Sequence, residues 1–299
     1  MQEKTVARIA ERILGSAGPV SGVCQIRRSE DGSPSGAWRV ETADRCYFLK
    51  KIASPAEEAL YTALAGTRPE LPAFFGGTDY YGKRYILSEY FPGRELSKCA
   101  RRDMILALDA LISLQDAFWQ GDRTGDGPLF PFGMTPEGEK ERIRTRRAYL
   151  HDPLLEAATD KLLALYDPLP RTLCHNDLLP FNVLAGENRA VLIDWEYYGL
   201  LPYPVPLARL LSHTRPDPDW DFTMTAEDRT FAEEYYYDRL LKGKGIGWEE
   251  YRYALDLFSF YEQTEWIYVC RRYHARQPKR FAMGMAEAVP IAEKWIDRT

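Results

Sequence analysis

One segment near the middle of the chain constrains the fold more than any other feature of the sequence. It contains His175, Asp177 and Asn182 at relative positions 0, 2 and 7, and Asp194 follows twelve residues after Asn182. Short apolar stretches flank both polar parts, the second of them being Val191-Leu-Ile. This pattern predicts a polar loop followed by a β-hairpin whose apolar residues anchor it in the core.

The residue types in this segment suit phosphoryl transfer from ATP. That reaction needs a carboxylate to orient and deprotonate a hydroxyl group, and hard oxygen ligands for the magnesium ion that bridges the phosphates. A loop with Asp and Asn five residues apart, followed by a hairpin that ends in Asp, can place these oxygens around one phosphate.

The segment resembles the catalytic and metal-binding loops of the protein-kinase-like small-molecule kinases, in particular the aminoglycoside phosphotransferase and choline/ethanolamine kinase families. The resemblance covers about residues 20–215. It implies that Asp177 is the catalytic base, that His175 supports the loop, and that Asn182 and Asp194 bind Mg. It also implies a bilobal α+β fold, with a small antiparallel-sheet lobe carrying one helix and a large, mainly helical lobe.

Hydrophobic periodicity predicts the same order of elements. A β-rich region precedes Pro92-Gly93, and mostly helical patterns follow. We therefore divide the chain into a nucleotide-binding lobe, 1–91, and a catalytic and substrate-binding lobe, 92–299. The N-terminal predictions are helices over 2–14 and 55–65 and strands over 23–27, 37–42, 46–52 and 85–90. The C-terminal ones include helices over 104–119, 137–150, 226–242 and 248–276.

The resemblance also predicts a lysine on the third strand and an acid on the helix that follows it. Lys50 is the lysine, because strand alternation turns the adjacent Lys51 to the opposite face. Glu57 is the preferred acid, since it lies on the apolar stripe of its helix, and Glu58, about 100° away, is the alternative.

Two further segments are expected to contact the nucleotide. The turn Gly32–Gly36 resembles the phosphate-covering turn of aminoglycoside kinases, so Ser35 and Gly36 are expected to face phosphate. The resemblance places the backbone near Glu89 and Phe91 against the edge of adenine. An ordinary hairpin turn and an interlobe linker would have the same composition.

A C-terminal helix carries the candidate substrate residues. Glu262, Glu265, Trp266 and Val269 have the spacing of one helix face. Carboxylates and an aromatic ring suit an amine, through ion pairing and cation–π contact. An amphipathic helix with core aromatics and solvated acids is the alternative interpretation. Choline-kinase-like proteins have a second tryptophan on a comparable helix, and Val269 stands in that place.

Charge and cysteine content narrow the cellular context. The net charge is −5, which divides into +2 for residues 1–94 and −7 for the remainder. This charge balance argues against a nucleic-acid-binding protein, which would have a basic face. The acidic C-terminal part favours a cationic small molecule as the ligand, although charges that only maintain solubility would give the same balance. No apolar run approaches the length of a membrane span, and no secretory signal is apparent. Five scattered cysteines predict reduced thiols and a cytoplasmic protein.

These observations predict an enzyme that uses ATP and Mg to phosphorylate a hydroxyl of a small, cationic molecule, either an amino alcohol or an aminoglycoside. The alternative is a kinase-like nucleotide-binding protein without catalysis, such as a spore-coat-like structural protein. The complete set of Lys50, Asp177, Asn182 and Asp194 favours the enzyme. Pro206 favours the alternative, because it replaces the Asp that braces the catalytic loop in these families. The acceptor, the choice between ATP and GTP, and the oligomeric state stay open.

Overall fold

A five-stranded antiparallel sheet forms the core of the first lobe. The structure is a computed structural model that describes residues 1–15, 19–27, 32–96, 100–120, 132–212 and 224–296. Its first five strands are β1 (Gly22–Arg27), β2 (Pro34–Glu41), β3 (Cys46–Ile52), β4 (Phe74–Tyr80) and β5 (Lys83–Glu89). They lie in the order β1-β2-β3-β5-β4. We call this sheet with its two helices the sheet lobe.

The two helices of the sheet lobe are α1 (Glu3–Leu14) and α2 (Ala56–Leu64). Helix α1 buries Val6, Ile9 and Ala10 against the sheet, as the predicted helix over 2–14 requires. Helix α2 follows β3 directly, so its first turn lies beside the end of that strand. The predictions of β1, β2, β3 and β5 are confirmed within a few residues.

The remainder of the described chain, which we call the helical lobe, is mostly α-helical. Its helices are α3 (Arg101–Ala117), α4 (Pro136–Arg147), α5 (Pro153–Tyr166), α6 (Pro204–Leu211), α7 (Ala226–Tyr236), α8 (Trp248–Gln263), α9 (Glu265–Tyr273) and α10 (Pro278–Ile296). Its short strands are β6 (Arg94–Glu95), β7 (Arg171–Cys174), β8 (Val183–Ala185), β9 (Ala190–Leu192) and β10 (Gly199–Pro202). Strands β6, β8 and β9 form one antiparallel sheet, and β7 pairs with β10. The predicted mixed fold, with a small antiparallel sheet and a helical remainder, is confirmed.

The predicted helix over 248–276 is wrong in one respect, because the structure divides it at Thr264. The Thr264 amide donates to the carbonyls of Phe260 and Tyr261, and its hydroxyl donates to the Tyr261 carbonyl at 2.6 Å. These bonds end α8 in a turn before α9 begins. The packing of α10 reinforces the break, since a Cβ on Gly284 would lie 2.7 Å from the Gln263 carbonyl oxygen.

One continuous core joins the two lobes. It runs from Leu60 of α2 through Leu108 of α3 to Leu192 of β9 and Leu257 of α8. The β8–β9 hairpin therefore lies directly beneath the sheet lobe. Among the helices of the described ranges, none combines the length and the apolar character needed to cross a membrane.

Candidate active site

A cavity of about 510 Å³ lies between the sheet lobe and the β8–β9 hairpin. We call it the interlobe cavity. Its lining includes Ala37, Lys50 and Ile86 from the sheet and Asn182, Leu184, Ile193 and Asp194 from the helical lobe. Apolar side chains therefore lie on both sides of it, and the charged groups cluster at the end where Lys50 and Asp194 meet.

Lys50 joins two carboxylates at this charged end. Its Nζ lies 2.6 Å from Oε2 of Glu57 and 2.6 Å from Oδ1 of Asp194. Burial alone would lower the pKa of Lys50, but the two carboxylates hold the pKa above its ordinary value. Burial raises the pKa of Glu57 in spite of the nearby ammonium group. Lys50 is therefore a fixed cation that connects α2 to the end of the β8–β9 hairpin.

Lys51 and Glu58, the sequence neighbours of Lys50 and Glu57, do not take part in this contact. Lys51 is exposed on the opposite face of β3. Glu58 makes a bidentate pair with Arg84, with distances of 2.6 and 2.8 Å. Of the two acids considered from the sequence, Glu57 is the one that contacts the lysine.

His175 connects the loop of Asp177 with the hairpin that ends at Asp194. Its Nδ1 accepts the Asp177 amide proton at 3.3 Å, so the ring proton lies on Nε2, which donates to the Ile193 carbonyl at 2.7 Å. Burial lowers the pKa of His175, which favours this neutral form. The buried side chain therefore holds the two polar segments at a fixed separation.

Asn182 and Asp194 present oxygen atoms to the interlobe cavity. Asn182 Nδ2 donates to the Asp177 carbonyl at 2.8 Å, which leaves Oδ1 as the acceptor of this amide. Asp194 has a φ of 66°, a left-handed conformation that Asp tolerates, and its side chain is 40% exposed.

These two residues fit a magnesium ion that is shared with a nucleotide. Mg²⁺ binds through one or two protein oxygens together with substrate phosphates. Within the part of the chain that the structure describes, no group of three or more His, Cys, Asp or Glu side chains could hold a metal by itself. Asn182 and Asp194 could therefore hold such an ion only together with oxygen ligands from a bound molecule.

Ser35 and Gly36 form a bulge at the start of β2. Ile26 pairs with Ala37 and Arg27 with Pro34, so these two residues have no counterpart on β1. The Ser35 hydroxyl donates to the Ile26 carbonyl at 2.8 Å, and Ser35 lines the interlobe cavity. Gly36 has a φ of 77°, which favours glycine at this position. Residues 28–31 of the same connection lie outside the described residues.

Glu89 and Phe91 both lie at the rim of the interlobe cavity. The Glu89 amide donates to the Ala73 carbonyl at 2.7 Å, and its carboxylate pairs with Arg189 at 3.1 Å. Arg189 also lies over the Phe91 ring, 4.8 Å from its centroid. Within the described residues, the Phe91 amide donates to no acceptor, so of these two amides it is the one that remains for a ligand.

A second pocket, of about 240 Å³, lies beside Asp177. We call it the charged pocket, and its lining includes Glu139, Arg142, Arg146, Asp177, Arg209, Tyr261, Glu262 and Glu265. Glu262 and Glu265, expected from the sequence to meet a substrate, thus lie next to the candidate base. Trp266 does not line the pocket, and its ring lies beneath the guanidinium of Arg280, 4.3 Å from the ring centroid.

Sequence reasoning missed Arg209 of α6, which organises the charged pocket. Its guanidinium lies 3.0 Å from Oδ1 of Asp177 and 2.7 Å from a carboxylate oxygen of both Glu262 and Glu265. The three carboxylates hold the pKa of Arg209 well above its ordinary value, in spite of burial. The guanidinium of Arg209 acts to lower the pKa of Glu262, but burial outweighs this effect and raises it.

Pro206 lies in the first turn of α6, where a helix needs no amide donor. Arg209, less than one turn later, connects this helix to the catalytic loop through Asp177. An arginine directly after the Pro206-Leu207-Ala208 segment was the only signal in the sequence that could have indicated this connection.

Comparison with known proteins identifies the family and the fold of the chain. The profile of the phosphotransferase enzyme family, APH, matches residues 25–253, whereas no curated protein matches the sequence. A choline kinase from Cryptosporidium parvum is similar in structure with a TM-score of 0.64 at 15% identity, covering 98% of this chain and 97% of that one. An aminoglycoside phosphotransferase from Alicyclobacillus acidocaldarius gives 0.59 at 16% identity over 95% and 97%. An amicoumacin kinase in complex with AMP-PNP and Ca²⁺ gives 0.53 at 15% identity over 99% and 97%.

The structural neighbours are kinases of small molecules, and at these identities they establish the fold alone. The family profile covers most of the chain, including both the interlobe cavity and Asp177. The chain belongs to the phosphotransferase enzyme family and has the fold of the small-molecule kinases.

Proposed function

We propose that the protein is a Mg- and ATP-dependent kinase that transfers the γ-phosphoryl group to a hydroxyl of a small alcohol that carries an amine. The observation that carries the proposal is the contact of Lys50 with both Glu57 and Asp194 at 2.6 Å. This contact gives one cavity a fixed cation and oxygen ligands, which are the parts that bind and orient a triphosphate.

Residues 1–91 would then form the nucleotide-binding lobe and 92–299 the catalytic and substrate-binding lobe. Adenine would lie between the apolar walls of the interlobe cavity, with the Phe91 amide at its edge. Lys50 would bind the phosphates, and the bulge at Ser35 and Gly36 would cover them with backbone amides.

Asn182 and Asp194 would hold the magnesium ion, which supplies neutralisation of the phosphate charge when it is bound. The hydrogen bond from Asn182 Nδ2 to the Asp177 carbonyl keeps the amide oxygen available for this purpose. His175 keeps Asp194 in register with Asp177 through its bonds to Ile193 and to the Asp177 amide.

Asp177 would act on the acceptor hydroxyl. Arg209 binds only Oδ1 of Asp177, and no donor from the described ranges contacts Oδ2. The carboxylate is therefore oriented by one oxygen, and the other oxygen can accept the hydroxyl proton. The amine of the acceptor would meet the carboxylates of the charged pocket, in particular Glu262 and Glu265.

A location in the cytoplasm completes the proposal, because the reaction consumes ATP. The free thiols of Cys24, Cys46, Cys174 and Cys270 support a reducing compartment, and Cys99 lies outside the described residues.

Binding of Mg-ATP is the first test of the proposal. At 100 times its dissociation constant, a ligand that binds only the folded state adds about 2.7 kcal/mol to the free energy of unfolding. We expect a thermal-shift titration with Mg-ATP to saturate, and the Asp194→Asn variant to lose the part of the ATP affinity that depends on Mg. A flat titration at millimolar Mg-ATP would contradict both the kinase and a nucleotide-binding protein without catalysis.

The second test separates the kinase from a binding protein with the same fold. A panel of alcohols is incubated with Mg-ATP, and phosphorylated products are detected by phosphorus NMR. The kinase yields a phosphate monoester with at least one acceptor. A protein that binds Mg-ATP and phosphorylates none of them would have the alternative, non-catalytic function.

A further inference from the structure

The charged pocket holds more positive charge than the binding of an amine requires. Three arginines line it, Arg142 and Arg146 from α4 and Arg209 from α6, together with four carboxylates. A pocket selected only for a cation would gain from the acids and lose from each guanidinium, because like charges repel the ligand. The arginines indicate that the ligand also carries a negative charge.

Arg209 is not the group that would bind this negative charge. Its donors are engaged by Asp177, Glu262 and Glu265, all within 3.2 Å. Its side chain is only 14% exposed. Arg209 thus neutralises part of the acidic cluster, and Arg142 and Arg146 are the other two cations of the pocket.

Arg146 has a fixed orientation but no acidic partner. Its Nη1 donates to the Tyr261 carbonyl at 2.6 Å, and its guanidinium stacks 4.0 Å from the centroid of the Tyr261 ring. Among the described residues, no carboxylate lies within ion-pair distance of Arg146. Its charge acts on Glu262 from beyond ion-pair distance, but no carboxylate in the part of the chain that the structure describes takes up its N–H groups, so these groups are held at the pocket wall and remain available to an anion.

Arg142 lies one helical turn before Arg146 and therefore on the same face of α4. Its Nη1 contacts Oε2 of Glu139 at 3.1 Å, and the same oxygen accepts from Asn176 at 3.0 Å. Glu139 is thereby shared between two donors. Arg142 thus lies beside Arg146 with one end engaged by Glu139, and Arg146 is the principal group for an anion.

We propose that the acceptor is a hydroxy amino acid, an alcohol that carries a carboxylate as well as an amine, and that Arg146 and Arg142 bind its carboxylate. The inference rests on the proposed function and specifies its substrate class. The ammonium group meets Glu262 and Glu265, and the hydroxyl meets Asp177. A doubly charged phosphate fits less well, because four carboxylates line the same small pocket.

The test uses pairs of acceptors that differ only by the carboxylate. Ethanolamine is compared with L-serine, and 3-amino-1-propanol with L-homoserine, at saturating Mg-ATP. We expect kcat/KM to be at least tenfold higher for the carboxylated member of the better pair. Binding of Mg-ATP is measured on the same protein sample by calorimetry.

Variants then assign the effect to the arginines. We expect Arg146→Gln to lower kcat/KM for the carboxylated acceptor by about 10–100-fold, mainly through KM, because it removes charge-assisted hydrogen bonds. The KM for ATP stays within about twofold, and kcat/KM for the uncarboxylated acceptor does not fall, because the variant also removes a charge that repels its ammonium group. Arg146→Lys keeps the charge and recovers part of the loss. The control is Arg144→Gln, on the same helix but paired with Glu137 and Glu141 at the surface.

Each outcome supports or overturns the inference. A carboxylate preference that Arg146→Gln abolishes supports it. Faster phosphorylation of the amino alcohols, or a carboxylate preference that survives Arg146→Gln in a folded protein, overturns it and leaves the kinase intact. If none of the four acceptors reacts while Mg-ATP still binds, the substrate class is wrong. If Mg-ATP does not bind, the proposed function fails as well.

Discussion

The interlobe cavity and the charged pocket are both organised around a partly buried cation, but the cation has a different role in each. In the interlobe cavity, Lys50 is paired with two carboxylates and the other walls are largely apolar. In the charged pocket, Arg209 is paired with three carboxylates and two more arginines lie beside it. The first arrangement leaves space for a large, flat ligand with a charged end. The second is nearly balanced in charge, so it selects its ligand by the pattern of charges.

The comparison predicts that the largest loss of activity arises where the two sites meet. Asp177→Asn keeps the shape of the side chain and removes the base, and general-base assistance contributes about 10²–10⁴ in rate. We expect kcat to fall by at least this factor while the affinity for Mg-ATP changes less than about tenfold. Turnover is measured with the best acceptor of the panel, and affinity by calorimetry.

The control for this variant is Asp160→Asn, which changes a half-exposed acid on α5 that pairs with Arg147. It should retain the rate of the wild type. Equal rates for Asp177→Asn and the wild type would remove Asp177 from the mechanism, and a parallel loss of Mg-ATP binding would place it in the interlobe cavity instead.

The charged pocket should depend on its cation for stability. Arg209→Gln leaves the carboxylates of Asp177, Glu262 and Glu265 close together without their shared counter-charge. Removing one side of a buried ion pair lowers the free energy of unfolding by about 3–5 kcal/mol. Because these groups are partly exposed, we expect a loss of about 3 kcal/mol. The free energy of unfolding is measured by urea denaturation with linear extrapolation.

Arg144→Gln is again the matched control, and it should leave the free energy of unfolding close to that of the wild type, because exposed ion pairs contribute little to stability. A loss below about 1 kcal/mol in Arg209→Gln would mean that water screens the three carboxylates and that the pocket is open to solvent.

The interlobe cavity should depend on its cation for ligand binding. Lys50→Met removes the ammonium group from Glu57 and Asp194, while Lys51→Met changes the exposed neighbour on the same strand. We expect at least a tenfold loss of Mg-ATP affinity in Lys50→Met, which corresponds to about 1.4 kcal/mol, and no change in Lys51→Met. Equal affinities in the two variants would show that Lys50 has a structural role only.

The two sites also differ in how far the sequence could predict them. The interlobe cavity depends on Lys50, Asn182 and Asp194, which lie in segments with clear β alternation or tight polar spacing. In the charged pocket, Arg209, Glu262 and Glu265 come from helices that are brought together only by tertiary packing. Helical spacing correctly grouped Glu262 with Glu265, but it could not place Arg209 beside them. Nor could it show that Trp266, which follows the break at Thr264, lies outside the pocket.

The elements β4, α6 and α10 were not predicted from the sequence, and the physical reasons are related. Strand β4 contains Gly76, with a φ of 130° and an irregular register, so its alternation is weak. Helix α6 contains Pro204 and Pro206 and helix α10 contains Pro290, which interrupt the helical pattern. In each case packing against the core decides the conformation, and local propensity opposes it.

The smallest expected effect concerns His175, which connects the two sites. Burial lowers the pKa of His175 below its ordinary value of 6.5. At a pH between the lowered pKa and 6.5, the unfolded chain therefore binds more protons than the folded one. The free energy of unfolding is then fully retained above pH 6.5 and falls as the pH drops through the lowered pKa.

His175→Gln keeps a donor for the Ile193 carbonyl but does not titrate. We expect the stability difference between the wild type and this variant to shrink between pH 7 and pH 5, by about 1.4 kcal/mol for each unit of the pKa shift. Urea denaturation at several pH values measures it, with His274→Asn as the control, because His274 is exposed and its φ of 52° suits Asn. Parallel pH curves for the wild type and His175→Gln would mean that His175 takes up its proton equally in the folded and unfolded chains. The neutral form of His175 would then not be what holds Asp177 and Asp194 at a fixed separation.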